Sequence, residues 1–383
     1  MTPSINPMTL GSERWESTMK VVMRSAGFLL LLTAALGLAM PGFAQAPEAT
    51  PSGSEQPGSV IIFPKFTKGT SAVDGVTKPL TEIEVGARCP TGAACPEDEV
   101  KIRFHWVCPG SDDISSKYIC KEAGFDIVLS LNGKAVFNPE NPTPAGKNLA
   151  SSAPCPSGYL IGWVVNPVTE RPIKYDGLTG SAVLRDSRGA TEAYEAIAIQ
   201  AEPNLAVRAD MTTDIDPRTG TPALVFDGGA GHYQAVAAGI PANLEFHKLT
   251  GPLSSSEASL ILLTLDVRLN RPNYPTFIDL DFRSAEAVRA STSWDFTCWT
   301  EIQNPNIDTN FTLAGARAPA GAVVISGRAI KVPFGGISDI PGPVTLLGLV
   351  PTDEGRGRRS MDPAYIVKRF DDNKPTTVFV PFD

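Results

Sequence analysis

Ser293-Trp-Asp-Phe-Thr-Cys-Trp-Thr-Glu-Ile302 alternates over its whole length. Side chains on a β-strand point to opposite faces in turn. A single strand through this stretch puts Trp294, Phe296, Cys298, Thr300 and Ile302 on one face and Asp295, Thr297, Trp299 and Glu301 on the other. The first set is expected to be buried, in a central strand of a sandwich core, with Cys298 as a disulfide anchor. The second set presents a flat aromatic, Trp299, beside the hydrogen-bonding groups of Asp295 and Glu301. Such a face suits a sugar ring or a partner's apolar patch. A competing reading buries both faces between layers or domains, and the sequence leaves the two open.

The same period recurs along the chain. Val100, Ile102, Phe104, Trp106 and Cys108 alternate with Lys101, Arg103, His105 and Val107, which places His105 on an outer face. Leu80 to Val85 alternates as well. Ser59 to Phe63 reads as a short apolar strand stopped by Pro64, and Tyr159 to Val165 is followed by an Asn166-Pro167 turn. Leu131-Asn-Gly-Lys134 has the dipeptide of a two-residue hairpin turn. Residues 138–157 read as a long loop, and Thr191 to Ala196 as a short helix. In the second half, strands are expected at Ala223–Phe226, Ala242–Phe246, Leu260–Leu269, Phe277–Phe282, Ala322–Ile325 and Val344–Val350. A last edge strand is expected at Pro375–Phe382, and Gly355 to Ser360 is a basic surface loop. With 34 Gly, 34 Pro, 19% charged residues and no long helical period, the chain reads as all-β with many turns.

Two strand pairs resemble each other across the halves. Thr81 to Val85 lines up with Thr276 to Leu280, and Phe104 to Cys108 with Trp294 to Cys298. This is either a duplicated immunoglobulin-like unit or ordinary alternation met twice. The expected fold is therefore an antiparallel, immunoglobulin-like β-sandwich in two lobes, 58–205 and 206–383, stapled by disulfides.

Met19 to Ala44 has the grammar of a secretory signal: Lys20 and Arg24, an uncharged run from Ala26 to Met40, and small residues before a cut after Ala44. Met19 is the expected start, and residues 1–18 an over-called extension. No Cys stands near the cut, so a lipid anchor is not expected. Residues 45–57 form a flexible leader, and no transmembrane span is expected once the signal is removed. Removing 1–44 leaves 30 basic and 39 acidic residues, a net charge of −9. That balance argues against nucleic acid or an anionic membrane surface as a partner.

All six cysteines, Cys89, Cys95, Cys108, Cys120, Cys155 and Cys298, lie beyond the signal. An even count in an exported chain reads as three disulfides, with 15 pairings open to six residues. The expected set is Cys89–Cys95, Cys108–Cys120 and Cys155–Cys298, two local staples and one long closure. The spacings of zinc or thioredoxin-like sites are missing.

Gly58-Ser-Val-Ile-Ile-Phe-Pro-Lys-Phe66, the Thr-x-Ile-x-Val strand, the aromatic strand ending in Cys108, Cys155 to Val165 and Asp176 to Leu184 together resemble uncharacterised secreted β-rich proteins of bacteria. The resemblance spans most of the chain after the signal. It implies an export destination and a fold, and it brings no assigned activity.

Chemistry-bearing patterns are sparse. The chain has no Gly-x-Ser-x-Gly elbow, no His-Glu-x-x-His, no P-loop and no Gly-x-Gly-x-x-Gly. Its only histidines are His105, His232 and His247. Glu82/Glu84 and Asp279/Asp281 each project on one strand face about 7 Å apart along the backbone, a spacing open to a glycosidase pair or to a solvated outer face. Asp210, Asp214 and Asp216, with Asp227 beyond, lie around Asp214-Ile-Asp-Pro-Arg-Thr-Gly220 and offer carboxylates for Ca²⁺. The EF-hand pattern fails there, and an Asp-rich turn explains them equally. The leading expectation is a secreted or periplasmic, non-catalytic binding or structural module with no obligate cofactor, its partner a glycan or an envelope protein. The alternative is a secreted polysaccharide hydrolase working through a carboxylate pair. A membrane barrel fits the cysteines and prolines poorly.

Overall fold

The computed structural model describes residues 56–73, 75–90, 93, 95, 99–110, 120–185, 191–215, 222–234, 259–265, 276–284, 289–303, 321–329, 342–343, 345–353, 359–367 and 379–381. Among them all regular structure is strand, arranged in sheets that are antiparallel except at one seam.

The central sheet has five strands. In spatial order they are β13 (Ile197–Ile199), β1 (Val60–Thr67), β10 (Ser157–Val165), β5 (Glu99–Cys108) and β6 (Lys121–Ser130). The largest sheet has eight: β19 (Trp299–Gln303), β16 (Ser259–Thr264), β22 (Thr345–Asp353), β23 (Arg359–Val367), β12 (Thr191–Glu195), β11 (Leu178–Arg185), β4 (Thr81–Ala87) and β7 (Lys134–Phe137). A four-stranded sheet orders β18 (Arg289–Phe296), β17 (Thr276–Ser284), β20 (Gly321–Ala329) and β21 (Gly342–Pro343). Three small sheets hold β14 (Asp214–Ile215), β15 (Pro222–Val225) and β24 (Phe379–Pro381); β2 (Thr70–Val73) and β3 (Val76–Pro79); and β8 (Thr143–Ala145) and β9 (Asn148–Ala150).

Strands β1 and β10 explain why their sequences are runs rather than alternations. Val60 to Phe63 and Gly158 to Val165 are buried without a break. A strand covered on both faces has no solvent side to mark with polar residues. On one face Phe63 meets β11, where a Cβ on Gly180 would stand 2.5 Å from the Phe63 ring. On the other, Tyr159 of β10 donates its hydroxyl to the Thr264 carbonyl of β16 at 3.2 Å. Strand β1 runs past the expected stop at Pro64, because a bulge between Phe63 and Phe66 accommodates a residue that cannot donate to the ladder.

The aromatic core lies between β5, β6 and β7. Phe104 stacks on Phe125 at 5.4 Å, and Phe137 meets Phe104 edge-on at 5.8 Å. Phe66 meets Trp106 edge-on at 4.8 Å, while Trp106 Nε1 donates to the Ser151 carbonyl. Gly162 faces Phe104 across the β5–β10 ladder, and the ring fills the space a side chain would take.

Several expectations change. Thr191 to Ala196 is not a helix but strand β12 and the residue after it. Its Ala and Glu favour a helix, yet the ladder to β11 and the Tyr194 hydroxyl bound to Lys65 outweigh that preference. The Asn132-Gly133 turn exists, with Asn132 at φ 58°, but β6 and β7 lie in different sheets and form no hairpin. The stretch 138–157 contains β8 and β9 rather than being all loop. The two similar strand pairs are placed differently: β17 and β18 are ladder neighbours, whereas β4 and β5 lie in separate sheets, which argues against duplication of one unit. The span Ala242–Phe246 lies outside the described residues. Strands from both sides of residue 205 share the eight-stranded sheet, where β12 runs parallel to β23 at Ala193 and Ser360.

All six cysteines are bonded: Cys89–Cys95, Cys108–Cys155 and Cys120–Cys298. The first matches expectation and the other two exchange partners. Cys108 sits opposite Lys121 in the β5–β6 ladder, so Cys120 is one position out of step with the face that Cys108 occupies.

Candidate functional site

The stretch read as one strand is two strands joined at a corner. Strand β18 ends at Phe296 in the four-stranded sheet, and β19 begins at Trp299 at the edge of the eight-stranded sheet. Cys298 turns the corner with φ 61°, and the Trp299 N–H closes back onto the Thr297 carbonyl at 2.6 Å, a three-residue turn. The turn resets the alternation. Cys298 and Trp299 are both buried, Trp299 to 5% exposure. The Trp299 indole N–H donates to the Pro64 carbonyl at 2.8 Å. The open aromatic platform does not exist, and the reading with both faces buried describes this residue. Glu301 accepts from Lys65 Nζ at 2.7 Å. Asp295 stands opposite Phe277 in the β17–β18 ladder, and its side chain lies outside the described residues.

Among the described residues, the acidic candidates are not brought together. Asp210 pairs with Arg171 at 3.5 Å, and Asp214 Oδ1 accepts from the Ile215 N–H at 2.8 Å. Asp216 lies outside the described residues. Among the described residues, no group of three or more His, Cys, Asp or Glu side chains is placed to hold a metal ion. Glu84 pairs with Lys134 at 2.6 Å and Glu82 with Arg185 at 3.8 Å. Asp279 and Asp281 lie in β17 opposite Ser293 and Ser291, and nothing is described of their side chains.

His105 is buried, not outward-facing. It stacks on Trp163 at 4.9 Å, its Nδ1 lies 3.3 Å from Glu122, and its Nε2 has no hydrogen-bond partner among the described residues. His247 lies outside the described residues. His232 lies 2.7 Å by Nδ1 from Asp227 Oδ1, an oxygen that also accepts the Gly229 N–H at 2.8 Å. A carboxylate only accepts, so Nδ1 is the donor in this contact. The loop is Asp227-Gly-Gly-Ala-Gly-His232, with Gly228 and Gly231 at positive φ. A Cβ on Gly229 would stand 2.9 Å from His232 Nδ1. This run of glycines between an Asp and a His was the sequence signal that could have found the dyad.

Beside that loop lies a buried polar cluster. Lys174 donates Nζ to the carbonyls of Glu202 and Pro203, and Asp176 Oδ1 accepts from Ser59 Oγ and the Ala201 N–H. Tyr233 is fully enclosed against Phe226; burial pushes its hydroxyl well above the ordinary tyrosine range, and the nearby Asp176 charge adds to this. A second cluster lies on the outer face of β5. Lys101 and Arg103 both reach Asp126 and Glu170, at 2.5–3.0 Å for their shortest contacts. Burial alone raises the Asp126 carboxyl, and the hydrogen bonds from Arg103 and Lys101 outweigh it, so the group titrates below its ordinary value. These arrangements tie loops to strands. They contain a fixed imidazole and matched ion pairs, and no described nucleophile is held beside the imidazole. In comparisons with known proteins, no family model and no curated protein matches this chain.

Proposed function

We propose that the chain is an exported, non-catalytic binding or structural module of the cell envelope or exterior. The observation that carries this reading is the closure of all six cysteines into three disulfides, one of them joining residues 178 positions apart. Such bonds form and persist in oxidising compartments outside the cytosol. The signal-like segment from Met19 to Ala44 points the same way. The fold in this reading is an immunoglobulin-like sandwich, in which the five-stranded sheet packs through Phe63 onto the β11–β4 side of the eight-stranded sheet. The partner is a glycan or an envelope protein, met at a face other than the buried Trp299.

Polysaccharide hydrolysis by a carboxylate pair is the weaker reading, since Glu82 and Glu84 are each engaged by a separate cation. The deciding experiment is fractionation followed by N-terminal sequencing. The exported chain should begin at or near Gln45. Recovery of only an uncut cytoplasmic chain would overturn the proposal.

A further inference from the structure

Cys108 and Cys120 flank a short segment, 12 positions apart in the chain. In the folded protein they are bonded elsewhere, to partners 47 and 178 positions away. The β5–β6 register pairs Cys108 with Lys121 and not with Cys120. Before that ladder forms, no such register applies. Contact between two points of a flexible chain falls with roughly the 3/2 power of their separation. Cys108 therefore meets Cys120 about 8 times more readily than it meets Cys155, and Cys120 meets Cys108 about 60 times more readily than it meets Cys298.

We propose that the protein matures through a transient Cys108–Cys120 disulfide that Cys155 resolves. A disulfide donor, oxidised glutathione or a thiol oxidoreductase, takes two electrons as Cys108 and Cys120 join. The Cys155 thiolate then attacks Sγ of Cys108. The Cys108–Cys155 bond forms, the Cys108–Cys120 bond breaks, and Cys120 leaves as a thiolate, with no net oxidation. A second equivalent of donor joins the freed Cys120 to Cys298. Topology directs the attack. Cys155 stands two residues before β10, and pairing of Tyr159 with Val107 zips β10 onto β5 with Cys155 beside Cys108. The last bond waits for the corner at Cys298, which needs β16 in place to accept it: the Thr264 N–H donates to the Cys298 carbonyl at 3.0 Å. The partner this chemistry calls for is an enzyme of the thiol–disulfide isomerase class.

In the cell the scheme rests on the export reading for its oxidising compartment; in the test tube it does not. The full chain, reduced and unfolded, is refolded in a glutathione buffer, quenched by alkylation at intervals and mapped by mass spectrometry. The Cys108–Cys120 peptide should exceed Cys108–Cys155 at least about fivefold in the earliest samples, then decay as the native pair rises. Cys155→Ser should hold the Cys108–Cys120 bond to the end. Cys108→Ser should form Cys120–Cys298 faster than the wild type, and added isomerase should shorten the life of the transient bond only where Cys108 and Cys120 are both present. Direct appearance of both native bonds without the transient pair would overturn the proposal, as would its loss from Cys155→Ser at the wild-type rate. A chain that is never exported would leave these refolding results unchanged, so the two ideas fail separately.

Discussion

The indole N–H of Trp299 donates to the carbonyl of Pro64 across 235 positions of chain. Pro64 lies in the bulge of β1, where its carbonyl is free of the β1–β10 register. Beside it, Lys65 pairs with Glu301, and the Tyr194 hydroxyl bonds to the Lys65 backbone. Three residues from two other strands, Trp299 and Glu301 of β19 and Tyr194 of β12, thus converge on one irregularity.

Trp299→Ala should cost about 3–5 kcal/mol, as buried aromatic truncations do. Trp299→Phe keeps most of the packing and strands the Pro64 carbonyl, for about 1–3 kcal/mol. Val168→Ala, at a side chain 86% exposed, should stay within about 0.5 kcal/mol and serves as the control. Denaturant unfolding of the three variants checks this order. Equal stability of Trp299→Ala and wild type would refute the buried placement.

Gly162→Ala should destabilise by about 1–3 kcal/mol through overpacking, because the new methyl would stand 2.3 Å from the Phe104 ring. Phe104→Leu opens space at the same point. The double variant should therefore cost measurably less than the sum of the two single changes, a coupling typical of residues in contact. Strict additivity in thermal unfolding would count against the packing of this pair.

Asp126 supplies a pH test. Its carboxyl is held below its ordinary value in the folded chain, so its contribution is fully present above the unfolded value of about 3.9 and is lost as pH falls through the lower folded value. Melting temperature followed from pH 6 down to pH 2 should fall less steeply in Asp126→Asn than in the wild type. At pH 6 the variant should be less stable by at most about 1 kcal/mol, since the pairs are partly exposed. Parallel acid curves would mean that the network contributes nothing.

Unreduced, unfolded protein should show no free thiol, and peptide mapping should return Cys89–Cys95, Cys108–Cys155 and Cys120–Cys298. Replacing both Cys120 and Cys298 with Ser should cost up to about 5 kcal/mol, the chain-entropy limit for so long a loop. A mapped Cys155–Cys298 peptide would reject the pairing described here.

Strand β5 was legible because only one of its faces is buried over its first half, so Lys101 and Arg103 mark the other. In β1 and β10 the strands were legible but their layers were not, since a run buried on both sides says nothing of what covers it. The corner at Cys298 was invisible: nothing in Phe296-Thr-Cys-Trp299 forbids a continuous strand, and a non-glycine residue at positive φ is fixed by tertiary contacts and its disulfide. Pairing of Cys108 and Cys120 followed from nearness in sequence, and the ladder register that pairs Cys108 with Lys121 instead is a property of the assembled sheet. The Asp227–His232 dyad sits in a loop whose glycines signal a tight backbone, not which side chains it brings together.

The parallel seam between β12 and β23 joins Ala193 to Ser360, 167 residues further on. Until that length of chain has emerged, β12 has a ladder partner on one side only, and a bare strand edge invites any other strand to pair with it. The C-terminal stretch thus covers an edge that the N-terminal half by itself leaves bare. A premature stop or a protease nick ahead of β23 would do more than shorten the protein: it would uncover an adhesive edge and turn a folding unit into a seed for aggregation.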